Sequence, residues 1–169
     1  MPKFDTDNSS FDSIGKKSLK ESNILERYDL QKAIVSSWEE FKNELGFPSA
    51  FLIGQEITPD NSTQNNLDLL AYDADDSSLI VIELKRDKNK LQLLQAISYA
   101  AMVAKWDKET IVRHIKQQKV ADYEELLGIV DSNELNPDIK IILIAEGFDP
   151  EVIVTADWLT TFSLNIFAY

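Results

Sequence analysis

The sequence predicts an α/β protein in which a mixed central sheet is flanked by helices. Short runs rich in Leu, Ile and Val alternate with longer segments whose apolar residues recur every three or four positions. These patterns are typical of strands and of amphipathic helices, respectively. Residues 139–145 are almost entirely apolar, as expected of a strand covered on both faces. The length of 169 residues suits a single domain over residues 22–169 with its own core.

The first half of the chain predicts one helix followed by three strands. Residues 1–21 are polar and aperiodic, and we expect a flexible or loosely packed arm there. Residues 24–45 have the apolar spacing of a long helix, which a glycine and a proline end. Residues 50–57 predict a strand, and residues 66–73 and 79–85 predict two antiparallel strands joined by a polar turn.

The second half predicts helices around two further strands. Residues 91–106 indicate a long helix, and residues 109–131 indicate two shorter ones. The apolar strand of residues 139–145 follows. Pro150 is suited to the first turn of a helix that continues to about residue 158, and residues 163–169 predict a short closing strand.

Composition excludes several classes of protein. The chain has no cysteine, so disulfides and thiolate metal sites are excluded. The N-terminus lacks the basic and apolar blocks of a signal peptide, and no apolar run approaches the roughly 20 residues of a membrane helix. We therefore expect a soluble, cytoplasmic protein without a membrane partner.

The charge distribution leaves two interpretations open. A net charge of −12 disfavours a general nucleic-acid binder, because affinity for phosphate comes mainly from Lys and Arg. Residues 85–119 nevertheless hold nine of the seventeen basic side chains. They form either an ordinary solvated surface or a stripe that follows a phosphate backbone. The nine are Lys85, Arg86, Lys88, Lys90, Lys105, Lys108, Arg113, Lys116 and Lys119.

Three charged side chains interrupt the apolar hairpin: Asp68 on its first strand, and Glu83 and Lys85 on its second. A symmetric turn would pair Leu70 with Val81 and, two residues further on, Asp68 with Glu83. Two carboxylates would then face each other with β-carbons roughly 5 Å apart, which destabilises a sheet unless positive charge lies between them.

Two explanations fit these charges. The first is a buried ion pair between the lysine and one acid at the strand end. The second is a divalent cation, which two acids and a single base favour because their net charge is negative. Carboxylates, a backbone carbonyl and water suit Mg²⁺ or Mn²⁺, whereas Zn²⁺ usually takes histidine or cysteine. The one histidine, His114, is remote in sequence, and we expect it on the surface.

The spacing of these residues resembles a known family. Asp68, a gap of fourteen residues, Glu83-Leu84-Lys85, and then Gln95 and Tyr99 on the next helix are similar to the PD-(D/E)xK nuclease superfamily, with the QxxxY helix of its RecB-like members. A leucine replaces the family's proline before Asp68. The chain resembles most the NucS-like endonuclease domain, over about residues 26–102. The resemblance implies a restriction-endonuclease-like core of order αβββαβ.

The resemblance also implies roles for the hairpin residues. Asp68, Glu83 and the backbone carbonyl of Leu84 would ligate Mg²⁺ or Mn²⁺, and Lys85 would orient or activate the attacking water. Such a metal lowers the pKa of bound water and neutralises charge on the phosphate.

Four other residues are candidates for the same site. Gln95 and Tyr99 lie one turn apart on one helix face, so both can point at it; alternatively that helix packs only by its apolar stripe. Glu26 is either the first-helix acid of the relatives or the third residue of a capping box with Asn23. Glu56 is a further candidate on a strand of unknown facing.

Three functions remain open. One is a magnesium-dependent nuclease domain that hydrolyses phosphodiester bonds, in DNA rather than RNA. Another is a non-catalytic module of the same fold that binds nucleic acid or protein. The third is an α/β interaction domain with a buried ion pair. The acidity and the apolar final strand suit a domain of a longer protein, or one that relies on a protein partner or a second copy to bind DNA.

Overall fold

A computed structural model describes residues 3–5, 10–12, 29–61 and 63–169 of the chain. In these ranges the chain forms a five-stranded sheet, a separate two-stranded sheet and six helices. None of these helices is long and apolar enough to cross a membrane. The elements are β1 (Lys3–Asp5), β2 (Ser10–Asp12), α1 (Gln31–Ser36), α2 (Trp38–Glu44), β3 (Ala50–Ile57), β4 (Leu67–Asp73), β5 (Ser78–Lys85), α3 (Gln92–Val103), α4 (Lys108–Gln118), α5 (Tyr123–Ser132), β6 (Ile139–Ala145), α6 (Pro150–Thr160) and β7 (Asn165–Ala168).

The five-stranded sheet is mixed and open, with strand order β3-β4-β5-β6-β7. The pairs β3–β4 and β4–β5 are antiparallel, whereas β5–β6 and β6–β7 are parallel. Parallel neighbours need crossover connections. Helices α3, α4 and α5 connect β5 to β6, and α6 connects β6 to β7. The prediction of a mixed α/β fold is therefore confirmed.

Helices cover both faces of the sheet. On one face, residues of α3 to α6 pack against alternate residues of the central strands, among them Leu70 and Val81. On the other face, α1 and α2 pack against the intervening residues, such as Leu69 and Ile82. Every residue of β4 is buried, as are all residues of β5 except its last. Charged groups on these two strands are therefore largely shielded from solvent.

The prediction of one continuous first helix was wrong. In the described part of residues 24–45, α1 and α2 are separated at Ser37, whose backbone (φ −122°, ψ 38°) is not helical. The hydroxyl of Ser36 donates to the carbonyl of Lys32 at 2.8 Å. Such back-bonding and adjacent serines bend helices. Apolar spacing continues across the break, so periodicity alone did not reveal it.

A half-buried lysine, Lys140, lies at the hairpin end of the sheet. The Lys140 ammonium is 2.6 Å from Asp73 Oδ2 and 2.7 Å from Asp76 Oδ2. Burial lowers the pKa of Lys140, but the hydrogen bonds that its ammonium donates to Asp73 and Asp76, with the charges of these acids, outweigh burial and hold that pKa above its ordinary 10.5. This cluster is a structural ion pair far along β5 from Lys85, because it sits where β5 begins rather than where it ends.

Candidate functional site

The two hairpin acids lie level with each other where β4 begins and β5 ends. Leu69 pairs with Ile82, and continuing that register by one residue brings Asp68 opposite Glu83. The pleat directs both acids to the face covered by α3 to α6. Asp68 is 7% exposed and Glu83 only 2%. Two carboxylates with little exposure to solvent therefore occupy one end of the sheet.

The Asp68 carboxylate accepts a hydrogen bond from the next strand. The backbone N–H of Leu84 donates to Asp68 Oδ2 at 2.8 Å. From the opposite face of the sheet, the buried amide of Gln31 on α1 donates through Nε2 to the backbone oxygen of Asp68 at 2.8 Å. Both the side chain and the main chain of Asp68 are thus held, which limits the freedom of the carboxylate to move.

Lys85 approaches the same site with its ammonium group. Its Nζ lies 2.7 Å from Glu83 Oε1 and 3.1 Å from the backbone oxygen of Leu84. The side chain is only 13% exposed. The ion pair anticipated from the sequence is therefore present. Together with Asp68, however, these three side chains still carry one net negative charge, as the sequence indicated.

The ammonium contacts two of the three oxygen donors that the family resemblance assigns to a metal. Glu83 supplies a carboxylate oxygen and Leu84 a carbonyl oxygen to Lys85, and the Asp68 carboxylate binds the N–H of the same Leu84. The oxygens of Glu83 and Leu84 therefore already contact a positive charge. Oxygen donors of this kind are those preferred by hard divalent cations.

Gln92 is a site residue that the sequence interpretation missed. This fully buried residue in the first turn of α3 donates through Nε2 to the backbone oxygens of Glu83, at 3.0 Å, and Ile144, at 3.1 Å. It thereby ties the carboxyl ends of β5 and β6 to α3. The Glu83–Leu84 peptide is consequently held at its C=O by Gln92 and at its N–H by Asp68. Gln92 precedes Tyr99 by seven residues, which places both on the same face of a helix. This spacing was the signal in the sequence that could have indicated Gln92.

The predicted glutamine and tyrosine lie on the same helix. Gln95 is half-buried and Tyr99 is 5% exposed, both on α3, which packs against β5 and β6. Their helix therefore covers the sheet face that carries the acids, while a direct role for either side chain stays a prediction. Glu26 lies outside the described residues.

Glu56 lies beside Asp68 on β3, the neighbour of β4 on the side away from β5. Its neighbours on β3 pair with β4, Gln55 with Leu69 and Ile57 with Leu67, so Glu56 lies at the height of Asp68. Its backbone is left-handed, with φ of 50°. Among residues 29–61 and 63–169, no group of three or more His, Asp or Glu side chains is arranged to hold a metal ion. The site thus offers two carboxylates and a carbonyl rather than an acidic cage.

The basic segment does not form one uniform surface. Lys85 points inward, Arg86 lies 3.0 Å from Asp87, and Lys90 lies 2.9 Å from Glu151. The other exposed members of the segment are Lys88, Lys105, Arg113, Lys116 and Lys119. A phosphate-following surface would therefore involve mainly the residues at and beyond the end of α3.

His114 is half-buried rather than a plain surface residue. Its ring stacks on Trp106 with centroids 4.3 Å apart and planes 5° from parallel. Burial, aided by the nearby charge of Arg113, lowers the pKa of His114. This stacking on Trp106 explains the position of the imidazole. His114 is also distant in sequence from Asp68 and Glu83.

Comparison of the chain with protein-family models, curated proteins and solved structures finds no match. The chemistry of the site is therefore inferred from its own geometry. That geometry provides two buried carboxylates, a carbonyl already in contact with a cation, and a lysine beside them. Such a set can bind a divalent cation and bring a positive charge to a phosphate.

Proposed function

We propose that the chain is a nuclease domain of the PD-(D/E)xK type that uses Mg²⁺ or Mn²⁺ to hydrolyse phosphodiester bonds in DNA. The observation that carries this proposal is the Lys85 ammonium resting on the Glu83 carboxylate and the Leu84 carbonyl, beside Asp68. The order of helix, three strands, helices and strand supports a restriction-endonuclease-like core. The site also lies where β5 and β6 end, the usual location of ligands on open α/β sheets.

The residues fit a divalent cation by their donor chemistry. Asp68 Oδ2 accepts the Leu84 N–H, and a carboxylate is a ligand that hard divalent cations prefer. Glu83 and Leu84 provide oxygens that already stabilise an ammonium. A bound cation would supply charge neutralisation at the phosphate and a lowered pKa of its bound water.

The protein residues would contribute orientation and charge. Lys85 would move from its ion pair to orient the attacking water and to offset charge that develops on the phosphate. The hydrogen bonds from Gln92 to the Glu83 carbonyl and from Leu84 to Asp68 hold the backbone between the acids. Fixed donors reduce the reorganisation that the reaction requires.

A non-catalytic module of the same fold is the second candidate. The observation in favour of this candidate is that Lys85 already neutralises the charge of Glu83, so that Glu83 needs no metal ligand. The net charge of −12 also argues against tight binding of DNA by this chain alone. In this case the module would bind protein or nucleic acid, with help from a further domain, a protein partner or a second copy.

Incubation of the purified protein with labelled single- and double-stranded DNA tests the proposal. We expect cleavage in Mg²⁺ and in Mn²⁺ but none in Ca²⁺ or chelator, because Ca²⁺ is larger and tolerates irregular coordination. A parallel RNA substrate of the same sequence tests the preference for DNA. A folded protein that cleaves neither substrate in any metal would support the non-catalytic module.

A further inference from the structure

Large apolar side chains are exposed together on two neighbouring helices, α3 and α6. Among the described residues, six large apolar side chains are exposed, and five of them lie on these helices or directly beside their ends. Single exposed apolar residues are ordinary on protein surfaces, whereas a cluster of them marks an interaction site. The five, each between 59% and 68% exposed, are Leu91, Leu94, Val154, Trp158 and Phe162.

A groove of about 240 Å³ lies between the two helices. Leu94 and Ile97 of α3 contribute to one wall, and Thr155 of α6 contributes to the other. Trp158 follows Thr155 by three residues, so it continues the same side of α6, and its ring lies 4.8 Å from that of Phe162. The groove is smaller than the usual pocket for a small molecule, and it suits side chains of another protein.

Helix α3 has no charged side chain. Residues 91–104 contain neither an acid nor a base, although Leu94 and Ala101 of this helix are exposed. A helix at the surface of a globular protein normally carries charged residues on its outer face. Charged residues are depleted where one protein surface is covered by another. The composition of α3 therefore indicates an outer face that a partner covers.

The exposed apolar area is large enough for a protein partner. Five side chains of these sizes and exposures present on the order of 500 Å² of apolar surface. A standard interface takes about 800 Å² from each partner, and its centre is apolar. The cluster therefore supplies most of one side of such an interface.

The rim of the groove is acidic. Lys90, the cation among the lining residues, lies 2.9 Å from Glu151 and 3.9 Å from Asp149, so one lysine meets two acids. A second copy of this chain, with its net charge of −12, or an anionic lipid surface would bring further negative charge to this rim. Residues 146–162, which contain α6, have no base and four acids: Glu146, Asp149, Glu151 and Asp157.

We propose that the groove between α3 and α6 binds an amphipathic helix of another protein, one whose polar face is basic. Apolar side chains of that helix would pack against Leu94 and Trp158, and its Lys or Arg residues would lie beside Glu151. Helices bind grooves in this way through apolar residues that recur every three or four positions. The basic face complements the acidic rim, which favours this partner over a second copy. The inference goes beyond the proposed nuclease activity and does not depend on it.

The test is the affinity of the protein for a fluorescein-labelled peptide of leucine and lysine, with its leucines at helical spacing. We expect Leu94→Ser combined with Trp158→Ser to raise the Kd at least tenfold in fluorescence anisotropy, because apolar anchors dominate affinity. Both residues are exposed, so the double variant should melt at the wild-type temperature. Its net charge stays at −12, so a general attraction of the peptide to an acidic protein is the same in both.

A charge reversal tests the chemistry of the rim. Glu151→Lys should raise the Kd of the same peptide by about threefold or more and reduce its salt dependence. Glu125→Lys changes the net charge equally, at an exposed acid of α5 that is not among the groove-lining residues. This control should stay within about twofold of wild type, because distant exposed charges are screened. A peptide with glutamate in place of lysine should bind wild type at least tenfold more weakly.

A dye placed in the groove locates the bound peptide. The chain has no cysteine, so Thr155→Cys provides one attachment point for acrylodan. We expect its emission to shift to shorter wavelength when the leucine–lysine peptide binds, because the dye then leaves water. The same dye attached to a Glu125→Cys variant should keep its emission.

Four results would overturn the inference. The first is that the leucine–lysine peptide does not bind the wild type, and the second is that it binds the Leu94→Ser, Trp158→Ser variant with wild-type affinity. The third is equal affinity for the lysine and glutamate peptides, which would show that the groove does not prefer a basic partner. The fourth is a wild-type dimer in sedimentation that this variant converts to a monomer, which would assign the face to a second copy. DNA cleavage enters none of these measurements, so the nuclease proposal stands or fails separately.

Discussion

Replacing Lys85 with methionine should lower metal-dependent DNA cleavage by roughly 10²–10⁴-fold, the usual contribution of a positioned acid–base group. The Lys85 ammonium is 2.7 Å from Glu83 Oε1 and is held at the end of β5, where it can reach a phosphate beside both acids. Methionine keeps much of the side-chain length but has no charge. Initial rates with labelled DNA in Mn²⁺, corrected for the folded fraction, measure the effect.

The same substitution should also destabilise the protein in chelator. Glu83 is 2% exposed, and removing one partner of a buried ion pair typically costs about 3–5 kcal/mol. Glu83→Gln combined with Lys85→Met should recover part of this loss, because residue 83 then carries no buried charge that has lost its cation. Cleavage by the double variant should stay as low as in the single variant.

Lys140→Met is the matched control for Lys85→Met. Lys140 is as shielded from solvent as Lys85 and also pairs with buried acid, since Asp73 is 4% exposed. We expect the control to lose stability but to cleave DNA within about threefold of wild type per folded molecule. Equal loss of cleavage in both lysine variants, or wild-type cleavage by Lys85→Met, would show that Lys85 has only a structural role.

Divalent metal should stabilise the wild type against unfolding. A ligand at one hundred times its Kd stabilises a folded state by about 2.7 kcal/mol. Melting temperatures in chelator, Mg²⁺ and Mn²⁺ measure this effect. Lys85→Met should respond to metal at lower concentration than wild type, because the ammonium contacts the oxygens of Glu83 and Leu84 that a metal would use.

Asp68→Asn should lose most of this metal response. In chelator we expect it to be as stable as wild type or more so, because it removes one of two neighbouring negative charges. The amide oxygen of asparagine can still accept the Leu84 N–H that Asp68 Oδ2 accepts. A clear loss of stability for Asp68→Asn in chelator, with no metal response in wild type, would instead make Asp68 part of a structural ion-pair cluster.

The central hairpin could be predicted from sequence because its pattern is simple. Apolar residues fill both strands, and a short polar turn sets the register that pairs Leu70 with Val81. Asp68 and Glu83 stand out because they interrupt that pattern. The strand Ile139–Ala145 was predicted for the same reason, since a run of seven residues that is apolar except for Lys140 suits a buried parallel strand.

The supporting residues could not be predicted in this way. Gln31 and Gln92 are uncharged polar residues on helices, where such side chains are normally exposed, and their burial depends on which strand ends lie beneath them. The break at Ser37 depends on local hydrogen bonding, which apolar spacing does not report. The left-handed backbone of Glu56 likewise has no signal in the pattern of apolar and polar residues.

The most direct test of the central claim is anomalous scattering from crystals soaked in Mn²⁺. A shared metal site predicts one strong peak about 2.1 Å from a carboxylate oxygen of Asp68 and from one of Glu83, the distance expected for a small hard cation. The Lys85 ammonium should then have moved off Glu83 Oε1, from which it lies 2.7 Å in the present structure. No peak at saturating Mn²⁺, with Lys85 still bonded to Glu83, would contradict the metal site and leave a buried ion pair.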